Sequence, residues 1–130
     1  MQTFDTNVIV RLLVGDDPRQ TAVAEQAFLK AVNNDGVYLP DVVLAEVAWV
    51  LHGYALERSV RHGLLERLVR TRGVVVDDLD AVIEALQRFV QGGDLADHLI
   101  WARAAKAAAL PVLSFDRSFA AHAGVQLLET

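Results

Sequence analysis

The chain has 130 residues, room for a single core at ~100–150 residues per domain, so 1–130 is expected to form one domain. Hydrophobic residues make up 53% of it and mean hydropathy is positive, which excludes a disordered chain; no apolar run approaches the ~18 residues that span a bilayer. A net charge of −5, no cysteine and no basic leader count against a simple electrostatic binder of nucleic acid, a disulfide framework, a thiolate metal site and a secreted protein, and so fit a cytoplasmic one.

Residues 2–4 read as a first strand that ends at Asp5, and "TNVIVRLLV" (6–14) as a short helix stopped by Gly15 and Pro18. From Pro18 to about Asn33, Ala22, Ala24, Ala27, Phe28, Ala31 and Val32 recur at helical spacing, with proline in the first turn. "GVYLP" (36–40) is a strand closed by proline. "DVVLAEVAWVLHG" (41–53) is a strongly apolar helix with Asp41 as N-cap and Gly53 as terminator. Residues 59–73 form another helix, capped by Ser59, with Leu64, Leu65, Leu68 and Val69 as its apolar stripe. "VVV" (74–76) is the third strand, followed by a helix from Leu79 to Val90, a break at Gly92-Gly93 and an Ala-rich helix from Leu95 to Ala109. "PVLSF" (111–115) is the fourth strand, "DRSFAAHA" a short helix and "VQLL" (125–128) the fifth strand. Strands separated by helices imply βαβ crossovers, hence an α/β fold with a mostly parallel sheet and helices on both faces.

"TFDTN" (3–7) and "SFDRS" (114–118) repeat one phrase near both ends of the chain. In an open α/β sheet, ligands bind beyond the carboxyl ends of the strands. If the first and fourth strands are neighbours, Asp5 and Asp116 meet there; the alternative is that each only starts a helix. Glu46 lies among apolar residues in "VVLAEVAWVL" and has no capping duty. It either points out on the one wet side of its helix or is buried, and the surroundings favour burial, which needs a partner. Asp94 suits an N-cap and Asp97 the third helical position, where an acid also suits the helix dipole. Asp97 can serve that role and still point towards the strand ends. If Asp5, Glu46, Asp97 and Asp116 meet, their repulsion must raise some pKa values or draw in a cation. Hard oxygen donors suit Mg²⁺ or Mn²⁺, and such ions activate water in phosphodiester hydrolysis.

The ordered set "DTNVIVRLL" (5–13), Glu46, "DLADHLIWARA" (94–104) and "LSFDRSF" (113–119) resembles the PIN domain over essentially the whole chain, most closely the VapC-type toxins of toxin–antitoxin pairs. The resemblance implies a parallel five-stranded sheet sandwiched by helices and an acidic Mg²⁺/Mn²⁺ site that cleaves RNA. By position it implies that Asp5, Glu46, Asp97 and Asp116 are the catalytic, metal-holding acids, with Asp94 an additional acid. Thr6 and Asn7 match the small polar pair after the first Asp, and Asn7 is expected to orient that carboxylate or its loop. Ser114 keeps a hydroxyl where the family often has Thr. Trp101 departs from the pattern, which more commonly has a small residue there. The resemblance also implies a homodimer and a cognate antitoxin that blocks the site with a basic side chain.

Ten of the twelve cationic residues are Arg, and five of these fall between Arg58 and Arg72. These five either contact RNA phosphates or, as interspersed Glu57 and Glu66 favour, form a solvated helix face. Arg11 and Arg117 lie near acids in sequence and either touch substrate phosphate or pair with a carboxylate. The four His residues show no metal-ligand spacing, and Trp49 and Trp101 are expected in the core or a dimer interface. A receiver-type phosphoacceptor lacks its strand-end lysine, and a haloacid-dehalogenase-type phosphatase lacks Asp-x-Asp after the first strand. The remaining rival is a non-catalytic binding module that keeps the fold and uses its acidic pocket for docking.

Overall fold

The computed structural model describes residues 1–130. Five short strands alternate with seven helices: β1 (Gln2–Thr3), α1 (Thr6–Val14), α2 (Pro18–Val32), β2 (Val37–Tyr38), α3 (Asp41–His52), α4 (Arg58–Arg70), β3 (Val74–Val75), α5 (Leu79–Phe89), α6 (Leu95–Lys106), β4 (Val112–Ser114), α7 (Arg117–Ala120) and β5 (Val125–Leu127). Every predicted element is present in the predicted order. The caps differ at two helices. Pro40, not Asp41, is the N-cap of α3, and Glu57, not Ser59, that of α4. Asp41 is thereby freed for a different bond, described below. The Ala-rich helix ends at Lys106 rather than at Ala109, and Ala108 takes a positive φ of 55° just beyond it.

The strands are all parallel, as expected, but they do not form one sheet. Val37 of β2 lies opposite Gln2 of β1 and Val74 of β3, giving a three-stranded sheet in the order β1-β2-β3. β4 and β5 pair with each other alone, Val112 opposite Val125 and Ser114 opposite Leu127. The expected five-stranded sheet is thus two sheets of three and two strands. The physical reason lies in the brevity of β1. The amides of Gln2 and Phe4 both donate to the β2 side, to Gly36 and Tyr38, and no ladder joins its other edge to β4.

The main core is a cluster of 22 buried residues running from Phe4 to Ala102. Its centre is α3, whose Val43, Leu44, Val47, Ala48 and Leu51 recur at the three- and four-residue spacing of one buried helix face. α3 packs against α1, α4 and α6, and α5 packs against α4 and α6. Each fully buried Leu or Phe in such a cluster contributes about 1.5–3 kcal/mol. A bidentate ion pair reinforces the α3–α6 contact: Arg103 donates from Nε to Asp41 Oδ2 at 2.6 Å and from Nη2 to Asp41 Oδ1 at 2.9 Å. No helix is long and apolar enough to cross a membrane.

Candidate active site

Five aspartates occupy N-cap positions, and they divide into two groups. Asp17, Asp78 and Asp116 each accept a hydrogen bond from the backbone N–H three residues on, at 3.1 Å. Asp5, before α1, and Asp94, before α6, make no such bond. Their carboxylates hold the N-cap position without satisfying the helix. Capping therefore accounts for Asp116 in part, leaving its second oxygen unused, and does not account for Asp5 or Asp94.

Glu46 is exposed, which corrects the expectation of a buried acid. On α3 the inward face is filled by the five core residues, so positions 42, 46 and 49 lie on the outer face, and all three are exposed. Its partner is the hydroxyl of Thr6, which donates to Glu46 Oε1 at 3.2 Å. Thr6 is the first residue of α1 and follows Asp5 directly, so this bond ties the start of α1 to the α3 acid. The neighbouring Asn7 is exposed and its side chain makes no hydrogen bond. The side-chain bond at this helix start is made by Thr6, and it reaches Glu46 rather than Asp5.

Asp97 is half-buried in the first turn of α6. Burial, then the charges of Asp94 and Asp116, push its pKa above the usual carboxylate range, with His98 partly opposing. Three acids from two places in the sequence, Asp94 and Asp97 at the start of α6 and Asp116 before α7, thus share one electrostatic field. Ser114 contributes at a distance: its Oγ accepts from the Asp116 backbone N–H at 3.0 Å, fixing the turn that presents that carboxylate. His98 itself is buried and bonded through Nε2 to the Gly92 carbonyl at 2.7 Å, a structural rather than a ligating environment.

The donor set suits a hard cation: only oxygen is offered, and Asp97 is destabilised in its charged form by its neighbours. No three acidic or histidine side chains stand close enough to grip an ion directly. Mg²⁺ does not require such a cage, because it keeps several waters and binds through one or two carboxylates.

The two arginines singled out near the acids behave differently. Arg11 pairs with a carboxylate, but that of Asp16 at 3.2 Å, and also reaches Gln20 and the Tyr54 hydroxyl. It is committed to the α1–α2 corner. Arg117 is exposed at the start of α7 and makes no ion pair. Trp49, expected in a core or an interface, is 68% exposed. Trp101 is half-buried, donates to the Ala123 carbonyl at 2.9 Å and carries the Arg88 guanidinium 3.4 Å above its ring.

The sequence favoured a solvated face over RNA-phosphate contacts for the arginine cluster. Arg67, Arg70 and Arg72 are exposed, but Arg61 is buried and Arg58 half-buried. The available signal was their spacing. Arg58 and Arg61 lie three apart and Arg61 and Leu65 four apart, so both arginines fall on the helix face that carries the apolar stripe.

In this α/β domain Asp5 and Asp116 each start a helix just after a parallel strand, at the strand ends beyond which ligands bind in folds of this class. A family model for the PIN domain matches residues 3–125, and the chain belongs to the PIN-domain family. PIN domains are generally metal-dependent nucleases. No curated protein and no solved structure gives a significant match.

Proposed function

We propose that this protein is a metal-dependent endoribonuclease, the toxin of a type II toxin–antitoxin pair. In this reading Asp5, Glu46, Asp97 and Asp116, with Asp94 as a further oxygen donor, would surround Mg²⁺ or Mn²⁺, one or two of them binding it directly and the others through its waters. The observation that carries it is the half-buried carboxylate of Asp97 in one helix turn with the uncapped Asp94, where burial and the charges of Asp94 and Asp116 disfavour its ionised form. A folded protein that sets these charges against one another gains by binding a cation. The uncapped carboxylates of Asp5 and Asp94 add donors that no structural bond consumes.

When bound, the ion supplies a polarised water and neutralises charge on the scissile phosphodiester. The chain's own groups prepare that event. Thr6 holds Glu46 towards the start of α1 through its 3.2 Å bond. Ser114 and the Phe119 amide fix the Asp116 turn and one of its oxygens, leaving the other free. Arg117, without an acid partner, is available to a substrate phosphate. A cognate antitoxin would neutralise the same acids with a basic side chain, and a homodimer would cover exposed Val42 and Ile100 on α3 and α6.

The test is Mn²⁺ calorimetry paired with RNA cleavage, on wild type, Asp97→Asn and Glu46→Gln. The expected result is metal binding weakened about tenfold or more by Asp97→Asn, with cleavage lost in both variants while the fold persists. Wild-type protein that binds no metal and cuts no RNA would instead be a docking module on a nuclease fold.

A further inference from the structure

Two cations are left over by the acidic site, and they share one cavity. Arg61 is only 7% exposed. Its Nε donates to the Leu56 carbonyl at 3.1 Å, and its two outer nitrogens have no acceptor in the protein. Arg58 donates through Nη1 to the carbonyls of Phe89 and Gly93, at 2.8 and 2.7 Å, which leaves its Nε and Nη2 without acceptors. Neither guanidinium is ion-paired; every ion pair in the molecule lies elsewhere. No polar side-chain atom is both sealed from solvent and unbonded, so the free nitrogens keep access to solvent space, and both side chains line one cavity.

Both guanidiniums also lie over the same ring, 4.8 and 5.6 Å from the centroid of Phe89. The ring face offsets part of their charge, but it serves two like charges at once. Burial, and then the charge of Arg58, lower the pKa of Arg61. A charge held this far from water without a counter-ion is costly.

The cavity has a volume of about 220 Å³ and is bounded by Arg58, Arg61, Phe89, Trp49, His52 and Asp94, among others. Asp94 is the one carboxylate on its wall. Two helices begin there: α4 at Arg58 and α6 at Leu95, and neither has a side-chain cap on its first N–H groups. The positive ends of both helices add to the two guanidiniums. The space is ample for a tetrahedral oxyanion.

We propose that this cavity is a phosphate-binding subsite, in which Arg58 and Arg61 hold a backbone phosphodiester of the RNA strand away from the bond that is cut. The inference rests on the nuclease reading above. Asp94 is what favours RNA over an acidic peptide. It lines this cavity and also acts on Asp97, so the subsite adjoins the acids along α6. A strand cut at those acids would carry its next phosphates past Arg58 and Arg61. A chain of net charge −5 repels RNA at long range, so it needs a cationic anchor close to the cut.

The experiment uses wild type, Arg58→Gln and Arg61→Gln with a short single-stranded oligoribonucleotide in chelator, so that no cleavage intervenes. Anisotropy is read at several salt concentrations, folding is checked by circular dichroism, and Mn²⁺ affinity by calorimetry. Each substitution is expected to weaken RNA binding about five- to tenfold and to flatten the salt slope by about 0.7, one phosphate contact on a single strand. Mn²⁺ affinity should stay as in wild type. Because Arg61→Gln risks the fold, half-buried Arg58→Gln decides: folded, with wild-type affinity and slope, it overturns the proposal. Inorganic phosphate followed by the NMR signals of the arginine Nε–H groups isolates the cavity from the nuclease reading. Shifts at Arg58 and Arg61 are expected; their absence overturns the anion site. If phosphate shifts them and an acidic peptide competes where RNA does not, the assignment to RNA is overturned. Should wild type neither bind nor cut RNA, the nuclease reading falls, and the phosphate titration still settles the cavity by itself.

Discussion

The molecule up to α6 and the unit that follows it are built to different standards. The 22-residue core extends from Phe4 to Ala102 and contains no residue of β4, α7 or β5. The C-terminal unit buries only Phe119, while Leu113 and Phe115 on and beside β4 are 56% and 67% exposed. The candidate acids are divided between the two regions. Asp5 and Glu46 are anchored in the dense part, Asp116 in the sparse part, and Asp94 and Asp97 stand on α6 between them. Local stability follows the number of buried apolar contacts, so the sparse unit is expected to open first. In the proposed site one wall would then move against a fixed one, and whatever binds between them would have folding energy to contribute.

The sharpest way to break this contrast is in the core. Phe89 is 2% exposed, belongs to the main cluster and supports both arginines of the phosphate cavity. Phe89→Ala should cost about 3–5 kcal/mol of global stability, read by denaturant unfolding. Phe119→Ala removes a ring of the same size at 7% exposure, but outside the main cluster. It should cost roughly 2 kcal/mol, concentrated in faster hydrogen exchange at β4 and β5. The amides of Val37 and Leu39, bonded to Gly73 and Val75 in the other sheet, should still exchange only through global unfolding. Equal acceleration in both sheets would show one cooperative unit and dissolve the comparison.

The same division marks how far the sequence could be read. Helices were legible because their signals are local: the stripe of α3, proline at the start of α2, Asp116 before α7. Parallel strand pairing is not local. Strands of two or three residues carry too little pattern to say which edge meets which, so the single five-stranded sheet expected from the resemblance became two. Glu46 was misplaced for a related reason. Its neighbours in sequence are apolar, but on a helix Val42 and Trp49 share its outer face, and both are exposed. Apolar surroundings in sequence therefore did not mean burial in space. Arg58 and Arg61 were hidden by company, since three of the five arginines in that cluster are indeed solvated.

The smallest effect discriminates most between a site and a set of surface charges, because its sign is unusual. The pKa of Asp97 is higher in the folded protein than the ~3.9 of an unfolded chain. Between those two values the folded state holds more proton than the unfolded one, so stability falls as pH rises through that window and stays lowered above it. At neutral pH and without metal, charged Asp97 therefore works against folding. Asp97→Asn should be more stable than wild type by on the order of 1 kcal/mol, a modest gain because solvent screens the exposed carboxylates of Asp94 and Asp116. The gain should disappear below about pH 4, where the wild-type carboxyl is neutral too. Added Mn²⁺ should raise the melting temperature of wild type more than that of the variant, shrinking or reversing the difference. Melting curves at neutral and acidic pH, with chelator and with Mn²⁺, supply the four comparisons. A variant less stable than wild type in chelator at neutral pH would mean that Asp97 serves α6 as a helix-start acid, with no unrelieved repulsion left for a cation to satisfy.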